Sequence, residues 1–364
     1  MIIQIQPWID HSELEELKKV IDSTFITENS MTSEFEKMTK ELTGAKHAIA
    51  VANGTVGLYC ALLSLKIGLG DEVIVPNLTF IASSNAVIMA GAKPVFCEVN
   101  KDNLCIDINK IESLITENTR AIMPVHLYGN VCNMNKLKTL AKKYKIKIIE
   151  DAAQGVGVHY KNEHVGTIGD LGVLSYYGNK TITTAEGGMI LTNNDSLAKA
   201  CYRLKNHGRD QKGTFKHDYI GFNFAYTDIQ AAIGVSQMKK LKRIIIRKEE
   251  IFNNYYEELK NITDLKFYKI KEQSKPVYWF TSIHSKKAEE LSNYLFENGI
   301  QTRRFFYPLH LQPCYQNSII DFKKEDFKIS EKIYDNSISL PSSYILKHEE
   351  QKKVIETIKS FFKC

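Results

Sequence analysis

The chain has 364 residues, of which 43% are hydrophobic and 25% are charged, ordinary values for a globular protein with its own core. Its net charge of +6 is modest, and we interpret the densest basic run, Lys239 to Lys248, as a solvated helix face rather than a nucleic-acid site. No stretch approaches the roughly 18 apolar residues of a membrane span, and the first residues lack a signal-peptide pattern. Seven scattered cysteines without metal-ligand spacing predict reduced thiols in a cytoplasmic protein.

The first two-thirds of the chain alternates between strand and helix patterns. A strand and turn in KHAIAVANGT are followed by a helix over residues 56–65, and further strands are predicted in DEVIVPN, AKPVFCEV, TRAIMPVHLYG and IKIIEDAAQ. Helices are predicted between them at residues 81–90 and in MNKLKTLAKKYK. This order predicts an α/β domain whose large, mainly parallel sheet is covered by helices on both faces.

The last third of the chain has a different pattern. A long amphipathic segment from Asp228 to Lys260 predicts a connecting helix with a single break. Beyond Leu265, a strand in PVYWFTSI and helices over residues 286–298 and 348–362 predict a smaller α+β domain. We therefore predict a large domain over residues 1–245, including the N-terminal segment, and a small C-terminal domain over residues 246–364.

Three segments place chemically useful groups where strands of the large sheet end, which is where open α/β sheets bind ligands. The NGT turn, Asn53 to Thr55, starts a helix and is suited to a phosphate, although an ordinary capped turn has the same pattern. Asp151 follows a buried strand, where a carboxylate needs a cationic partner or serves as a helix cap.

Lys180 is the third candidate, and it lies between a Gly-Asn turn and a polar stretch that ends in Gly187 and Gly188. A lysine near apolar surface and hydroxyl groups can act as an amine nucleophile, whereas most lysines lie on the surface. The order of phosphate turn, acid and lysine fits one cofactor, pyridoxal 5′-phosphate (PLP). This cofactor has a phosphate, a ring nitrogen that an acid keeps protonated, and an aldehyde that condenses with a lysine.

The segments EDAAQ, GNKTITTAEGGMILTN and GFNFAYTDIQAAIG together resemble the DegT/DnrJ/EryC1/StrS family, the nucleotide-sugar aminotransferases of fold type I. The resemblance extends from about Asp22 to Tyr315. It implies PLP-dependent transfer of an amino group from L-glutamate to the C4 ketone of a nucleotide-linked 4-keto-6-deoxy sugar, for surface polysaccharide synthesis. A 3-keto sugar, or a UDP-linked amino sugar, stays open as the substrate. Lys180 argues against the dehydratase branch of the family, which has histidine at this position.

The resemblance also implies roles for single residues around the cofactor ring. Lys180 binds the cofactor as a Schiff base and moves protons, and a turn carries it so that it can swing between cofactor and substrate. Asp151 pairs with the ring nitrogen, Gln154 contacts the side of the ring hydroxyl, and Phe80 stacks on the ring. Gly187 and Gly188 let the backbone pass close to the cofactor or to a second subunit.

The phosphate and the subunit arrangement follow from the same resemblance. Gly54, Thr55 and Ser175 bind the phosphate, and Asn223 reaches it from the neighbouring subunit. We therefore expect a homodimer with two shared active sites, the commonest closed arrangement.

His310, with Arg303 and Tyr307 near it, lies in the segment that meets the sugar nucleotide in similar enzymes. A structural histidine bonded to a backbone carbonyl is the alternative for His310. Two residues depart from the family pattern: Ala185 replaces the glycine of TGEGG, and Ala225 replaces an arginine near the phosphate.

Three other functions fit the sequence less well. A nicotinamide-dependent enzyme needs a G-x-G-x-x-G turn after its first strand, and NGTVG lacks that pattern. The chemistry of a glycosyltransferase does not require a buried lysine, such as Lys180, after a strand of the large sheet. A non-catalytic regulator on the same scaffold would have lost Lys180 or Asp151.

Overall fold

The computed structural model describes residues 1–210, 213–268, 274–316 and 326–363. The helices are α1 (His11–Ser23), α2 (Ser30–Thr43), α3 (Gly54–Ser64), α4 (Ala82–Met89), α5 (Ile108–Ile111), α6 (Met134–Tyr144), α7 (Asp195–Lys205), α8 (Asp228–Leu259), α9 (Ala288–Glu297), α10 (Pro313–Gln316), α11 (Lys328–Asp335) and α12 (His348–Phe362). The strands are β1 (His47–Val51), β2 (Glu72–Pro76), β3 (Lys93–Cys97), β4 (Thr119–Ile122), β5 (Lys147–Asp151), β6 (His159–Tyr160), β7 (Glu163–His164), β8 (Leu171–Ser175), β9 (Gly188–Thr192), β10 (Lys266–Phe267), β11 (Ser274–Lys275), β12 (Thr281–His284), β13 (Arg303–Arg304) and β14 (Ser337–Leu340). Among these helices, none is long and apolar enough to cross a membrane.

Seven strands form the large sheet, in the order β1-β9-β8-β5-β4-β2-β3. Six of them share one direction, and β9 runs antiparallel to its neighbours β8 and β1. The predicted α/β fold with a mainly parallel sheet is thereby confirmed. The carboxyl ends of β5 and β8 and the first residue of β9 lie at one edge, so the segments that follow these strands meet there.

Helices cover both faces of the large sheet, because neighbouring residues of each strand point to opposite sides. Ile148 belongs to a core shared with Phe35 of α2 and with α6 and α8. Ile149, the next residue, belongs to the core shared with Leu58 of α3 and with α4 and α7. A strand buried on both faces favours consecutive apolar residues, and Ile148 and Ile149 show this pattern in the sequence.

The long helix α8 is continuous over its 32 residues, so the break predicted from the sequence is absent. It begins with a capping box in which Thr227 and Gln230 satisfy each other's backbone N–H groups. In its first turn, the buried carboxylate of Asp228 accepts hydrogen bonds from the N–H groups of Asn29 and Thr32, at 2.7 and 3.0 Å. This carboxylate therefore fastens the start of α2 to the start of α8. The predicted domain boundary after residue 245 falls inside α8 and stays a prediction.

The C-terminal part contains an antiparallel sheet in the order β10-β12-β14-β13, which packs against α9 and α12. The strand predicted in PVYWFTSI is shorter than expected, because β12 begins only at Thr281. Before it, the N–H group of Trp279 donates to the carbonyl of Val277 at 2.7 Å. This tight turn ends the extended pattern and directs the side chain of Trp279 into the protein, where it is buried.

Lys248 is a buried amine in the middle of α8. Its Nζ donates to the main-chain carbonyls of Trp279 and Ser342, each at 3.0 Å, and joins α8 to two segments of the C-terminal part. Burial lowers the pKa of this lysine to about 7.

Replacing Lys248 should change how stability depends on pH. Unfolding returns the pKa of this lysine to about 10.4. Between about pH 7 and pH 10 the unfolded chain therefore binds the additional proton, and the free energy of unfolding rises with pH. Below pH 7 the lysine is charged in both states and adds no slope. Lys248→Met should lose a slope of up to about 1.4 kcal/mol per pH unit.

Guanidinium titrations at about pH 7 and pH 8.5 measure this difference. Lys242→Met, which removes an exposed lysine from the same helix, is the control and should keep the slope of the natural protein. Equal slopes in Lys248→Met and in the control would contradict the account.

Candidate active site

A cavity of about 460 Å³ opens at the sheet edge where β5 and β8 end. Its walls come from the turn before α3, the loop before α4, the ends of β5 and β8, and the segment that connects β8 to β9. The C-terminal part of the chain adds Trp279, Arg303 and Phe306. The sequence-predicted residues that line the cavity are Gly54, Thr55, Phe80, Asp151, Gln154, Ser175, Lys180 and Arg303.

Lys180 lies on the tight connection between β8 and β9. Its own N–H group donates to the carbonyl of Tyr177 at 2.9 Å, which closes a turn at the lysine. The threonines that follow stabilise this connection: the hydroxyl of Thr183 donates to the carbonyl of Tyr176, and that of Thr184 donates to the carbonyl of Glu186. The backbone around the lysine is thus held by local hydrogen bonds, while the side chain extends into the cavity.

The amine of Lys180 is chemically perturbed. Burial lowers its pKa from the usual range to about 8, and the positive charge of Arg303 acts in the same direction. The negative charge of Asp151 opposes this shift. The residue faces the open cavity and is therefore partly exposed, yet the surrounding protein still penalises the ammonium form. At neutral pH a useful fraction of this amine is uncharged and able to act as a nucleophile or a base.

Asp151 is the last residue of β5, and its carboxylate is buried at the floor of the cavity. The hydroxyl of Ser83 donates to Oδ2 at 2.7 Å, and the N–H group of Ala153 donates to Oδ1 at 3.1 Å. Within the described residues, Asp151 forms no ion pair. Two donors orient the carboxylate, and it stays available for a cation that enters the cavity.

The turn before α3 fits both alternatives given for NGT, a helix cap and a phosphate site. Asn53 caps the helix, since its Oδ1 accepts the N–H group of Val56 at 3.0 Å. The same helix start faces the cavity beside Ser175: a Cβ atom on Gly54 would lie 3.2 Å from the Cβ of Ser175. A capped helix N-terminus next to a hydroxyl group is suited to an anion.

Gly188 allows β9 to approach this turn closely. A Cβ atom at Gly188 would lie 2.5 Å from the carbonyl oxygen of Asn53 and 2.8 Å from the backbone nitrogen of Gly54. A Cβ atom at Gly187 would lie 2.3 Å from the hydroxyl of Thr184. Gly188 therefore packs against the NGT turn, residues 53–55, and Gly187 packs against the segment between β8 and β9 that carries Lys180.

Gln154 and Phe80 form two further parts of the wall. The Oε1 atom of the buried Gln154 accepts the N–H group of Tyr128 at 2.6 Å, which leaves its amide NH₂ to donate into the cavity. Phe80 lies at the cavity mouth, more than half exposed, with its ring 5.7 Å from that of Phe306. Both rings line the cavity.

Three sequence-predicted residues do not line the cavity. His310 has both ring nitrogens engaged: Nδ1 contacts the side-chain amide of Asn77 at 2.9 Å, and Nε2 lies 3.1 Å from Oε1 of Glu331. Tyr307 packs edge-on against the ring of Tyr334. His310 thus connects the end of β2 to α11, which favours the structural alternative weighed for it, although its partners are side chains.

Asn223 is also outside the cavity of its own chain, with an exposed side chain. It lies on the segment after α7, where it bridges to Asn206 and its Oδ1 accepts the N–H group of Ala225. Ala185, which replaces the glycine of the family pattern, has a positive φ of 68°. This left-handed conformation favours glycine, so the position explains why glycine is usual there in the family pattern.

Sequence reasoning missed two residues that contact the reactive groups. Ser83, which bonds to Asp151, lies one turn after Phe80 in NLTFIASS, but a serine in a small-residue helix carries no distinctive signal. Trp279 lies with its ring centroid 4.3 Å from the Nζ of Lys180. It comes from a segment about 100 residues later in the chain, so only the tertiary fold brings the two together.

The residues present fit PLP. The helix N-terminus and Ser175 suit its phosphate, the carboxylate of Asp151 is available for a protonated ring nitrogen, and the Lys180 amine has a pKa suited to an aldehyde. The amide of Gln154 is placed to donate to a ring hydroxyl.

The chain is similar to known proteins in both sequence and fold. The model of the DegT/DnrJ/EryC1/StrS aminotransferase family matches residues 7–359. The GDP-perosamine synthase of Escherichia coli O157:H7 is 40% identical, covering 98% of this chain and 97% of that protein. The GDP-perosamine synthase of Vibrio cholerae is 35% identical over 100% of both. Among solved structures, the PLP form of Spr1654 from Streptococcus pneumoniae superposes with a TM-score of 0.94 at 26% identity, covering 100% of this chain and 98% of that chain.

Gly188→Ala should weaken cofactor binding. The added methyl group meets backbone atoms of Asn53 and Gly54, which cannot rotate away, so β9 or the phosphate turn has to shift. We expect the Kd for PLP to rise at least about tenfold, a loss of about 1.4 kcal/mol. Absorbance titration of the cofactor-free protein measures it. Gly68→Ala, whose new methyl would meet only the carbonyl oxygen of Ala90 at 3.4 Å, is the control. A Kd equal to that of the control would rule out the steric argument.

Proposed function

This chain belongs to the DegT/DnrJ/EryC1/StrS aminotransferase family, and we propose that it transfers the amino group of L-glutamate to the C4 ketone of a nucleotide-linked 4-keto-6-deoxy sugar. PLP is the cofactor. The observation that carries the proposal is the meeting of Lys180, Asp151 and a helix N-terminus in one cavity. The predicted cytoplasmic location rests on the cysteine pattern and stays a prediction.

The residues of the cavity bind and orient the cofactor. When bound, PLP supplies an aldehyde that carries the amino group and a protonated ring that accepts electron density. The start of α3, with the hydroxyl groups of Thr55 and Ser175, would hold the phosphate. Asp151 would keep the proton on the ring nitrogen, because a carboxylate oriented by Ser83 stabilises a cation next to it.

Lys180 then has two roles at one atom. Its Nζ would bond to the aldehyde of the cofactor, and as a free amine it would accept a proton from the reacting carbon of the substrate and return it. A pKa of about 8 suits this work, since the amine can be both base and acid near neutral pH. Positioned proton transfer of this kind contributes on the order of 10²–10⁴ to a rate.

Arg303 is the cation that faces the substrates. It lines the cavity near the lysine and, within the described residues, forms no ion pair. Both substrates carry anionic groups, the carboxylates of glutamate and the diphosphate of the sugar nucleotide, and a guanidinium group binds either kind in a bidentate manner. The substrate roles of His310 and Tyr307 stay predictions.

The choice of sugar rests on resemblance more than on geometry. The two relatives at 40% and 35% identity are GDP-perosamine synthases, which supports a GDP-linked sugar as the first candidate. A dTDP-linked sugar is the next candidate. A 3-keto sugar and a UDP-linked amino sugar stay as alternatives within the same family.

We propose a homodimer with shared sites for the assembly. Phe215 and Ile220, on the segment that leads to Asn223, expose 92% and 87% of their surface. Exposed apolar residues on one segment are typical of a protein interface. A second copy of the chain that covers them would bring its Asn223 towards this phosphate site.

The substrate is tested with a panel of 4-keto-6-deoxy sugars on GDP, dTDP and UDP, each incubated with glutamate and analysed by mass spectrometry. We expect amination of the GDP-linked sugar and formation of 2-oxoglutarate.

Lys180→Ala should abolish both the amination and the formation of 2-oxoglutarate, because the amine that anchors the cofactor and moves the proton is gone. Asp151→Asn should keep the fold and lose activity on the order of a hundredfold, because a neutral amide no longer favours the protonated ring.

Two outcomes of the panel would overturn parts of the proposal. If none of the 4-keto sugars is aminated and a 3-keto sugar added to the same panel is, the C4 assignment is contradicted. Near-normal turnover of Lys180→Ala would reject this lysine as the catalytic residue.

The dimer is tested by sedimentation velocity at micromolar concentration. We expect a dimer, and we expect Ile220→Asp to shift it towards monomer and to lower activity, since a buried charge weakens an apolar interface. Phe296→Asp, at an exposed position of α9, is the control and should leave the dimer intact. A fully active monomer would refute the shared site.

A further inference from the structure

The indole ring of Trp279 lies against the reactive lysine. The ring centroid is 4.3 Å from the Nζ of Lys180, within the range of a cation–π contact. The indole N–H group donates to the carbonyl oxygen of Asn179 at 2.6 Å. One side chain therefore touches both the amine of Lys180 and the backbone of the residue before it.

Trp279 is itself rigidly supported. Only 2% of its surface is exposed, and its ring stacks on that of Phe280 at 3.9 Å and on that of Tyr128 at 5.8 Å. Its carbonyl oxygen accepts a hydrogen bond from Lys248 at 3.0 Å. The indole is thus fixed to α8 and to the aromatic cluster of the C-terminal part, and it contacts the lysine turn as a preformed surface.

A rigid aromatic surface of this kind can restrict the conformational freedom of the lysine side chain. This side chain has four flexible bonds, and once its bond to the cofactor is broken, the amine is free to occupy many positions. Proton transfer needs the amine next to the reacting carbon, and misplacement by about 1 Å can cost on the order of a hundredfold in rate. The π face attracts the ammonium form, and the hydrogen bond to Asn179 fixes the turn that carries the side chain.

We propose that Trp279 is a positioning residue for Lys180: the indole face holds the released amine beside the reacting carbon, and the indole N–H group fixes the turn. This inference deepens the proposed function, on which it rests for the role of Lys180. The contact itself does not depend on that function and is measurable without substrate.

Fluorescence tests the contact directly, because the chain has only two tryptophans. Trp8, the other one, stacks on Tyr344 at 3.9 Å and is removed by Trp8→Phe. In the cofactor-free Trp8→Phe protein, emission then reports Trp279 alone. We expect its emission to titrate with a midpoint near pH 8 as the ammonium group on the ring loses its proton, and we expect Lys180→Met to abolish this transition.

Other titratable or charged groups near the indole ring can also affect its emission. Comparing the Trp8→Phe protein with the protein that also carries Lys180→Met separates their contributions from that of Lys180. Lys248, Tyr128 and the nearby Arg303 are present in both, so their contributions remain in the Lys180→Met titration and can be subtracted. A flat titration in the Trp8→Phe protein, or an unchanged transition in Lys180→Met, would overturn the contact.

Kinetics test the positioning role. Trp279→Phe and Trp279→Leu both lose the N–H group, but only phenylalanine keeps a π face. We expect Trp279→Leu to lower kcat at least about tenfold in the glutamate half-reaction with KM changed less than about twofold, and Trp279→Phe to recover part of the loss. Equal losses in the two variants would overturn the role of the indole face, and a rise in KM with kcat unchanged would overturn the positioning role as a whole.

The fluorescence titration and the kinetics distinguish a failure of the Trp279 proposal from a failure of the proposed function. If no nucleotide sugar is aminated, the glutamate half-reaction and the fluorescence titration still read the action of Trp279 on Lys180. If Trp279→Leu fails to fold, as circular dichroism would show, Trp279→Phe and the titration of the native tryptophan decide the proposal.

Discussion

The site depends on holding an amine and a carboxylate in one cavity without letting them neutralise each other. Lys180 and Asp151 line the same walls, and each feels the charge of the other, yet in the described residues they form no ion pair. Asp151 is oriented by its hydrogen bonds to Ser83 and Ala153, and Lys180 by its contact with Trp279. Both groups line the same cavity and are therefore available to a cofactor bound in it.

The sheet makes this separation possible through one reversed strand. Parallel strands are joined by long crossovers that leave the edge of the sheet. Because β9 runs antiparallel to β8, a short connection suffices, and it stays at the edge where the cavity opens. Lys180 lies on this connection, which explains why a single lysine is surrounded by small polar residues and followed by two glycines. Gly188 then lets β9 lie against the phosphate turn, so that the same connection joins both ends of the cofactor site.

Much of this arrangement was predictable because its residues follow strands that the hydrophobic pattern reveals. Asp151 comes after a run buried on both faces, and Lys180 comes after the next strand of the same sheet. Trp279 could not be found in this way, since it enters the site from a turn that interrupts a predicted strand. His310 was predicted to meet the substrate from the family resemblance, and the structure adds that its ring is engaged by Asn77 and Glu331, contacts that only the tertiary fold creates. The role of Asn223 requires a second chain, about which a single sequence is silent.

Borohydride reduction followed by peptide mapping tests the central claim most directly. The protein is loaded with PLP, reduced and digested, and the modified lysine is identified by mass spectrometry. Lys248 is also buried and has a lowered pKa, so it offers a fair internal comparison. The account predicts a single modified peptide that contains Lys180, with Lys248 unmodified. A label on Lys248 or on any other lysine, with Lys180 untouched, would contradict it.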